Sequence, residues 1–206
     1  MITVNINRET LDLNQNESLT LGQAIELIES EGTQPNEVVT AITIGKEKFN
    51  LESLGELVDE DIDNLGSPLI EIKNNYEIAF EALTDSNGYI DTIAAKITEV
   101  VGYYSENDVD MANTHFSELI DLVDLFIQLI SKVHRTVKTY NPDFFKSNDT
   151  IRNLEIHLLS ILKALIPAKE KNDIIMLSDL LEYELADNLA QWKIKAIPLM
   201  LESKID

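Results

Sequence analysis

The chain of 206 residues contains no cysteine. Disulfides, thiolate metal sites and cysteine nucleophiles are thereby excluded, and the composition fits a reducing compartment, so a cytoplasmic location is expected. Glycine and proline are scarce, at seven and five residues. There is no glycine cluster to cradle a phosphate, and no serine sits in a nucleophile-elbow pattern. No stretch reaches the roughly 18 apolar residues that span a bilayer. The longest apolar segment, "ELIDLVDLFIQLISKV", is broken by Asp121, Asp124 and Gln128. Asn5, Asn7, Arg8 and Glu9 interrupt any early apolar run, so no secretory leader is expected. Positive charge is also short: 16 Lys and Arg stand against 37 Asp and Glu, a formal net charge of −21. That charge repels phosphate backbones and anionic lipids, so neither nucleic acid nor a membrane is expected as a partner, whereas a basic protein fits.

What is present is an apolar share of 44%, enough for a packed core. It is written in two grammars. Residues 1–73 hold five of the seven glycines and show short alternating runs; residues 74–206 show long helical periods. Charge does not separate the halves, which carry −11 (four basic, fifteen acidic) and −10 (twelve basic, twenty-two acidic). The boundary is placed at "IKNNYE", where Asn74 and Asn75 can cap a helix.

In the first part, "ITVNI" and "TLDL" read as strands joined by a turn at Asn7–Arg8. "TLGQAIELIESEG" reads as a helix, with a Thr20/Gln23 capping box, an apolar face of Leu21, Ala24, Ile25 and Ile28, and a stop at Gly32. "VVTAITI" and a short strand follow across Gly45–Lys46; then come a helical turn in "LESLGEL" and a closing strand in "PLIEIK". This order resembles the ubiquitin-like β-grasp fold. Members that act as carriers use a free C-terminal Gly-Gly. Here the last strand runs on into another domain, so the resemblance implies a binding or spacing module.

In the second part, Tyr76, Phe80, Leu83, Ile90, Ala94, Ile97, Val101 and Tyr104 keep one heptad phase with a single gap at Asn87. "DSNG" (85–88) has turn chemistry, but unbroken phase predicts one helix, bent at Gly88. Ala112, Phe116, Leu119, Val123, Phe126, Ile130, Val133, Val137 and Tyr140 step 4-3 throughout a second helix. A third, capped near Asn148, carries Ile151, Leu154, Leu158, Ile161 and Leu165 and ends around Pro167 to Lys171. A fourth runs from about Asp173, with Pro198 as a kink. Its leucines at 177, 181, 185 and 189, then Trp192 and Ala196, face the core, leaving Asp179, Glu182 and Glu184 off that face. The expected fold is α+β: a β-grasp domain followed by an antiparallel four-helix bundle.

Catalysis and metal binding find little support. None of the three histidines, His115, His134 and His157, follows a glutamate by three, as bundle di-iron sites require. His115 and Glu118 form a reversed pair, and Glu155 and His157 lie on different helix faces. No enzyme activity, cofactor or metal is expected. One feature exceeds what a bundle needs. In "LIDLVDLFIQLI" (119–130) only Asp121, Asp124 and Gln128 are polar, so the apolar arc is wider than one seam. Either the helix is nearly enclosed, or part of the arc is a groove for another apolar helix. Candidate partner-binding residues are Leu122, Leu125, Leu129, Leu180, Tyr183 and Trp192.

The run "IRNLEIHLLSILKALIPAKEKNDIIMLSDLLEYEL" (151–185), two helices with a short polar link and a leucine-rich acidic end, resembles the helical-bundle export chaperones that hold flagellin in the cytoplasm. The resemblance implies a non-enzymatic chaperone or adaptor that keeps an apolar helix of another protein soluble, in flagellar or secretion assembly. A homodimer is left open. The competing expectations are an acidic decoy that occupies a basic protein, and a structural adaptor working through the β-grasp half.

Overall fold

The computed structural model describes residues 2–6, 9–13, 19–34, 36–147 and 149–204; the turn expected at Asn7–Arg8 and the cap expected at Asn148 lie outside them. The protein is α+β. It divides into two compact units, Met1–Ile78 and Ala79–Asp206, a few residues after the boundary read from the sequence.

The first unit holds β1 (Ile2–Ile6), β2 (Glu9–Leu13), α1 (Leu21–Leu27), β3 (Glu37–Ile44), β4 (Glu47–Asn50) and β5 (Leu69–Asn74). The strands form one sheet in the order β2-β1-β5-β3-β4, with β1 and β5 parallel and the other neighbours antiparallel. Thr20 and Gln23 form the expected capping box, and α1 continues into a wider π turn, Ile28–Gly32. Leu21, Ala24, Ile25 and Ile28 pack with Val39, Ile42, Ile70 and Ile72 in a core closed by Leu54 and Ile62. Gly22 allows that closure, because a Cβ there would meet Val58 Cγ1 at 2.6 Å. The β3–β4 hairpin turns on Gly45, whose φ of +63° suits glycine.

The chain then enters α2 (Asn75–Ser105). Asn74 caps it, its Oδ1 accepting from the Glu77 N–H at 2.8 Å. "DSNG" is helical throughout, as the heptad phase requires. The seam differs in one register. Leu83, Ile90, Ile97 and Tyr104 are buried as expected, but Ser86, Ile93 and Val100 alternate with them in place of Asn87, Ala94 and Val101. Ile93 brings more apolar surface inward than Ala94, and Ser86 costs little there because its hydroxyl donates to Leu83 O at 2.6 Å.

Helix α3 (Val109–Tyr140) buries eight of its nine expected seam residues, and Tyr140 lies exposed at its end. Helix α4 (Asp149–Glu170) buries Ile151, Leu158, Ile161, Leu165 and Ala168, with Leu154 only partly covered. The last helical run comprises α5 (Ile174–Asp179), α6 (Ala186–Gln191) and α7 (Ile197–Glu202), joined by π turns Leu180–Leu185 and Trp192–Ala196. Leucines every four residues overrun the 3.6-residue turn by about 40° each time. The wide turns absorb that drift, and Leu177, Leu181, Leu185 and Leu189 all stay buried. Pro198 lies in the first turn of α7, directly after the second wide turn. Two reverse turns share one local sequence. "NDVDM" and "NDIIM" each put an asparagine at positive φ (Asn107, Asn172) and an aspartate cap (Asp108, Asp173) that accepts from the methionine N–H three residues on. Among the described residues, no helix is long and apolar enough to cross a membrane.

Candidate binding groove

Within the second unit α3 and α4 run antiparallel: Phe116 shares a lining with Lys169, and His134 meets Glu155. Between them lies an apolar groove of about 470 Å³. Its floor is the seam residues Phe116, Val123 and Leu165; its walls are Ile120 and Ile127 from α3 and Leu162 and Ile166 from α4. A second hollow of about 320 Å³ extends it past Ile127 to Phe126, Ile130, Leu158, Leu159 and Trp192. Both volumes are in the range of ligand sites, and the lining from Phe116 to Ser131 follows α3 for about 20 Å. The α4 wall is open to solvent, with Leu159 51% and Ile166 59% exposed. Isolated exposed apolar residues are ordinary, whereas here they lie lengthwise beside a hollow.

Polar groups sit only at the margins. Asp124 accepts from Gln128 Nε2 at 2.6 Å, Glu170 is on the rim, and Glu155 is bonded to His134 Nδ1 at 3.0 Å, the His134 ring being stacked on Phe145. Lys169 closes one end. Its Nζ lies 4.6 Å from the centre of the Phe116 ring, donates to Tyr104 Oη at 3.2 Å, and donates to Asn113 Oδ1.

The other edge of α3, toward α2, is built differently. Tyr89 Oη donates to Leu122 O at 2.9 Å. Lys96 Nζ is 2.7 Å from Glu99 and 2.9 Å from Glu118, and His115 Nδ1 is 3.0 Å from Glu118 with its ring stacked on Tyr103. Hydrogen bonds that Lys96 donates to Glu99 and then to Glu118 hold its ammonium above the usual range; the bond accepted from Lys96 chiefly holds Glu118 below the usual carboxylate range. Each histidine meets a glutamate across helices: His115 with Glu99, His134 with Glu155, and His157 with Glu184 at 3.2 Å. Among the described residues, no three His, Asp or Glu side chains are grouped to hold a metal ion.

The sequence reading found the wide arc on α3 but named its other edge. Leu122 and Leu129 follow His115 at heptad spacing, on the α2 side, and are partly covered; Leu125 is 54% exposed and lines neither hollow. Leu180 and Tyr183 belong to a π turn, half-buried and exposed respectively, and line neither hollow. Of the six residues named, only Trp192 lines the groove, and it does so as a buried core residue edge-on to Phe126, not as an exposed anchor. The missed residues had a signal. Ile120 and Ile127 are seven apart on α3, and Leu159, Leu162 and Ile166 form a second stripe on α4 beside the seam of Leu158, Ile161 and Leu165.

No curated protein and no solved structure matches the chain. A family model matches residues 81–195, more than half of the chain, and every groove residue falls inside that span. The chain therefore belongs to the family described as a domain of unknown function (DUF8042).

Proposed function

We propose that this is a non-enzymatic protein-binding protein, a chaperone or adaptor of the reducing cytoplasm, that holds an amphipathic helix of another protein in the α3–α4 groove. The first unit is read as a β-grasp module, supported by its strand order and by the helix packed on one face of the sheet. The second is read as an antiparallel four-helix bundle, which is the plan shared with the flagellin export chaperones.

The observation that carries the function is the open apolar strip between α3 and α4. A helix laid along it would meet Ile120, Ile127, Leu159, Leu162 and Ile166 at the i, i+3, i+4 and i+7 spacing of helix-in-groove recognition. Burial supplies about 25 cal/mol per Å² of apolar area before ordering costs. The strip is too long for a compact ligand to cover. The net charge of −21 sets two copies of the chain against each other and disfavours acidic competitors.

The test compares Ile166→Asp with Leu125→Asp. Both side chains are exposed, so both variants should fold. In pull-downs from the source organism, Ile166→Asp should lose a protein that wild type and Leu125→Asp both retain. The affinity of wild type for the purified partner should hardly change between low and physiological salt. Equal retention by all three, or retention lost steeply with salt, would overturn groove docking.

A further inference from the structure

Lys169 stands apart from the other lysines in its surroundings. Lys48, Lys96, Lys146 and Lys193 rest on carboxylates, Glu71, Glu99 and Glu118, Asp143 and Asp91. Lysines with no ion pair among the described residues, such as Lys132, Lys138, Lys163 and Lys195, are exposed to solvent, whereas Lys169 is half-buried. Lys169 has no carboxylate partner among the described residues, although Glu170 is its neighbour in the chain and lies exposed on the same rim. Its two acceptors, Tyr104 Oη and Asn113 Oδ1, are both neutral, and an ammonium has three N–H donors. The third has no acceptor among the described residues. Tyr104 is buried at the end of α2 and Asn113 lies in the second turn of α3, so three helices hold the charge in place. They hold it against Phe116, at the end of a lining whose other charged members are Asp124 and Glu170. A charge positioned by neutral groups and set half-buried beside apolar surface is one whose counter-charge comes from elsewhere.

Resting on the docking reading above, we infer that Lys169 is a carboxylate-recognition point in the groove. The bound helix brings an Asp, a Glu or its terminal carboxylate, in its end turn, onto Lys169 Nζ, while its apolar stripe fills the strip toward Trp192. This selects among amphipathic helices. A helix that is basic on both flanks and at both ends leaves Lys169 facing a like charge. One with an acid in the end turn completes the third hydrogen bond and fixes the register along the groove.

The probes are fluorescein-labelled helical peptides of about 18 residues, enough at 1.5 Å per residue to cover the groove. They share a leucine stripe with lysine and alanine elsewhere, and carry one glutamate in the first turn, the centre, the last turn or nowhere. Anisotropy titration of the full chain should show one end-turn glutamate peptide binding about ten-fold tighter than the glutamate-free one, the size of a charge-assisted hydrogen bond. K169M should equalise the four peptides and K169R should keep the preference. K169E should prefer the peptide with lysine at that place, a reversal that a merely structural role for Lys169 cannot produce. Circular dichroism establishes that each variant is folded; should K169M or K169E fail to fold, the wild-type series and K169R still decide. Equal binding of all four peptides to wild type overturns the inference and leaves docking intact. No binding of any peptide to wild type sinks docking itself.

Discussion

The two edges of α3 differ although one heptad runs down the helix between them. The edge facing α2 carries His115, Glu118 and Leu122, and each is engaged: the first two in a network with Lys96 and Glu99, the third by the Tyr89 hydroxyl on its carbonyl. The edge facing α4 carries Ile120, Asp124 and Ile127, and between Lys169 and His134–Glu155 nothing polar crosses to α4 among the described residues. One edge is sealed by directional contacts. The other offers only non-directional burial, which any apolar surface of matching shape can satisfy. The same helix thus supplies directional contacts on one side and accessible apolar surface on the other.

The largest effect should come from the core that both edges share. Leu181 is fully buried while Glu182 is exposed. Leu181→Ala should cost about 2–5 kcal/mol and Glu182→Ala no more than about 0.5, read from denaturant midpoints. Equal shifts would mean that the leucine ladder does not face the core. Next comes the sealed edge. Tyr89→Phe removes the donor to Leu122 O, with an expected loss of about 0.5–1.5 kcal/mol. Ile166→Asp on the open edge should lower stability by about 0.5 kcal/mol or less while removing partner binding, which would separate the two edges by function. If Ile166→Asp unfolds the chain, the open edge is structural and the contrast fails.

The smallest effect is the pH dependence of the Lys96 network. Folding lowers the Glu118 pKa, so its contribution is present above the ordinary carboxylate range and fades as pH falls through the lowered value. Folding raises that of Lys96, so its contribution is present up to the ordinary lysine range and fades as pH rises through the raised value. The melting-temperature gap between wild type and Lys96→Met should therefore be widest across neutral pH and close at both extremes. Glu118 is exposed and Lys96 only half-buried, so solvent screens the pair and the gap is small. A gap that is flat from acid to alkaline pH would show that Lys96 acts there through packing alone.

Much of this was legible because it depends on neighbours in the chain. The Thr20/Gln23 box and the Asn74 cap are local hydrogen bonds, and helix through "DSNG" follows from phase held on both sides. Eight seam residues of α3 follow from strict 4-3 spacing. The register of α2 was only half legible. Leu83, Ile90, Ile97 and Tyr104 satisfy either of two heptad readings, and the choice between Ile93 and Ala94 as their companion depends on what packs opposite. Trp192 carries two readings in the sequence, core by its spacing after Leu189 and interface by its amphipathic ring, and it is buried in the core.

By itself the sequence determined the α+β composition, the helix boundaries, the facing of the leucine ladder and the presence of surplus apolar surface on α3. All of these follow from periodicities of two or 3.6 residues and from caps that bond within a turn. Only the tertiary structure decided which edge of that surplus is covered. An arc wider than one seam has two edges, and helical period treats them alike. The neighbours broke the tie, α2 closing one edge with Tyr89 and Lys96 and α4 leaving the other open beside Ile166. The isolation of Lys169 was decided the same way. Whether a lysine meets an acid is set by groups that folding brings from Tyr104 and Asn113, far off in the chain, and no local pattern records it.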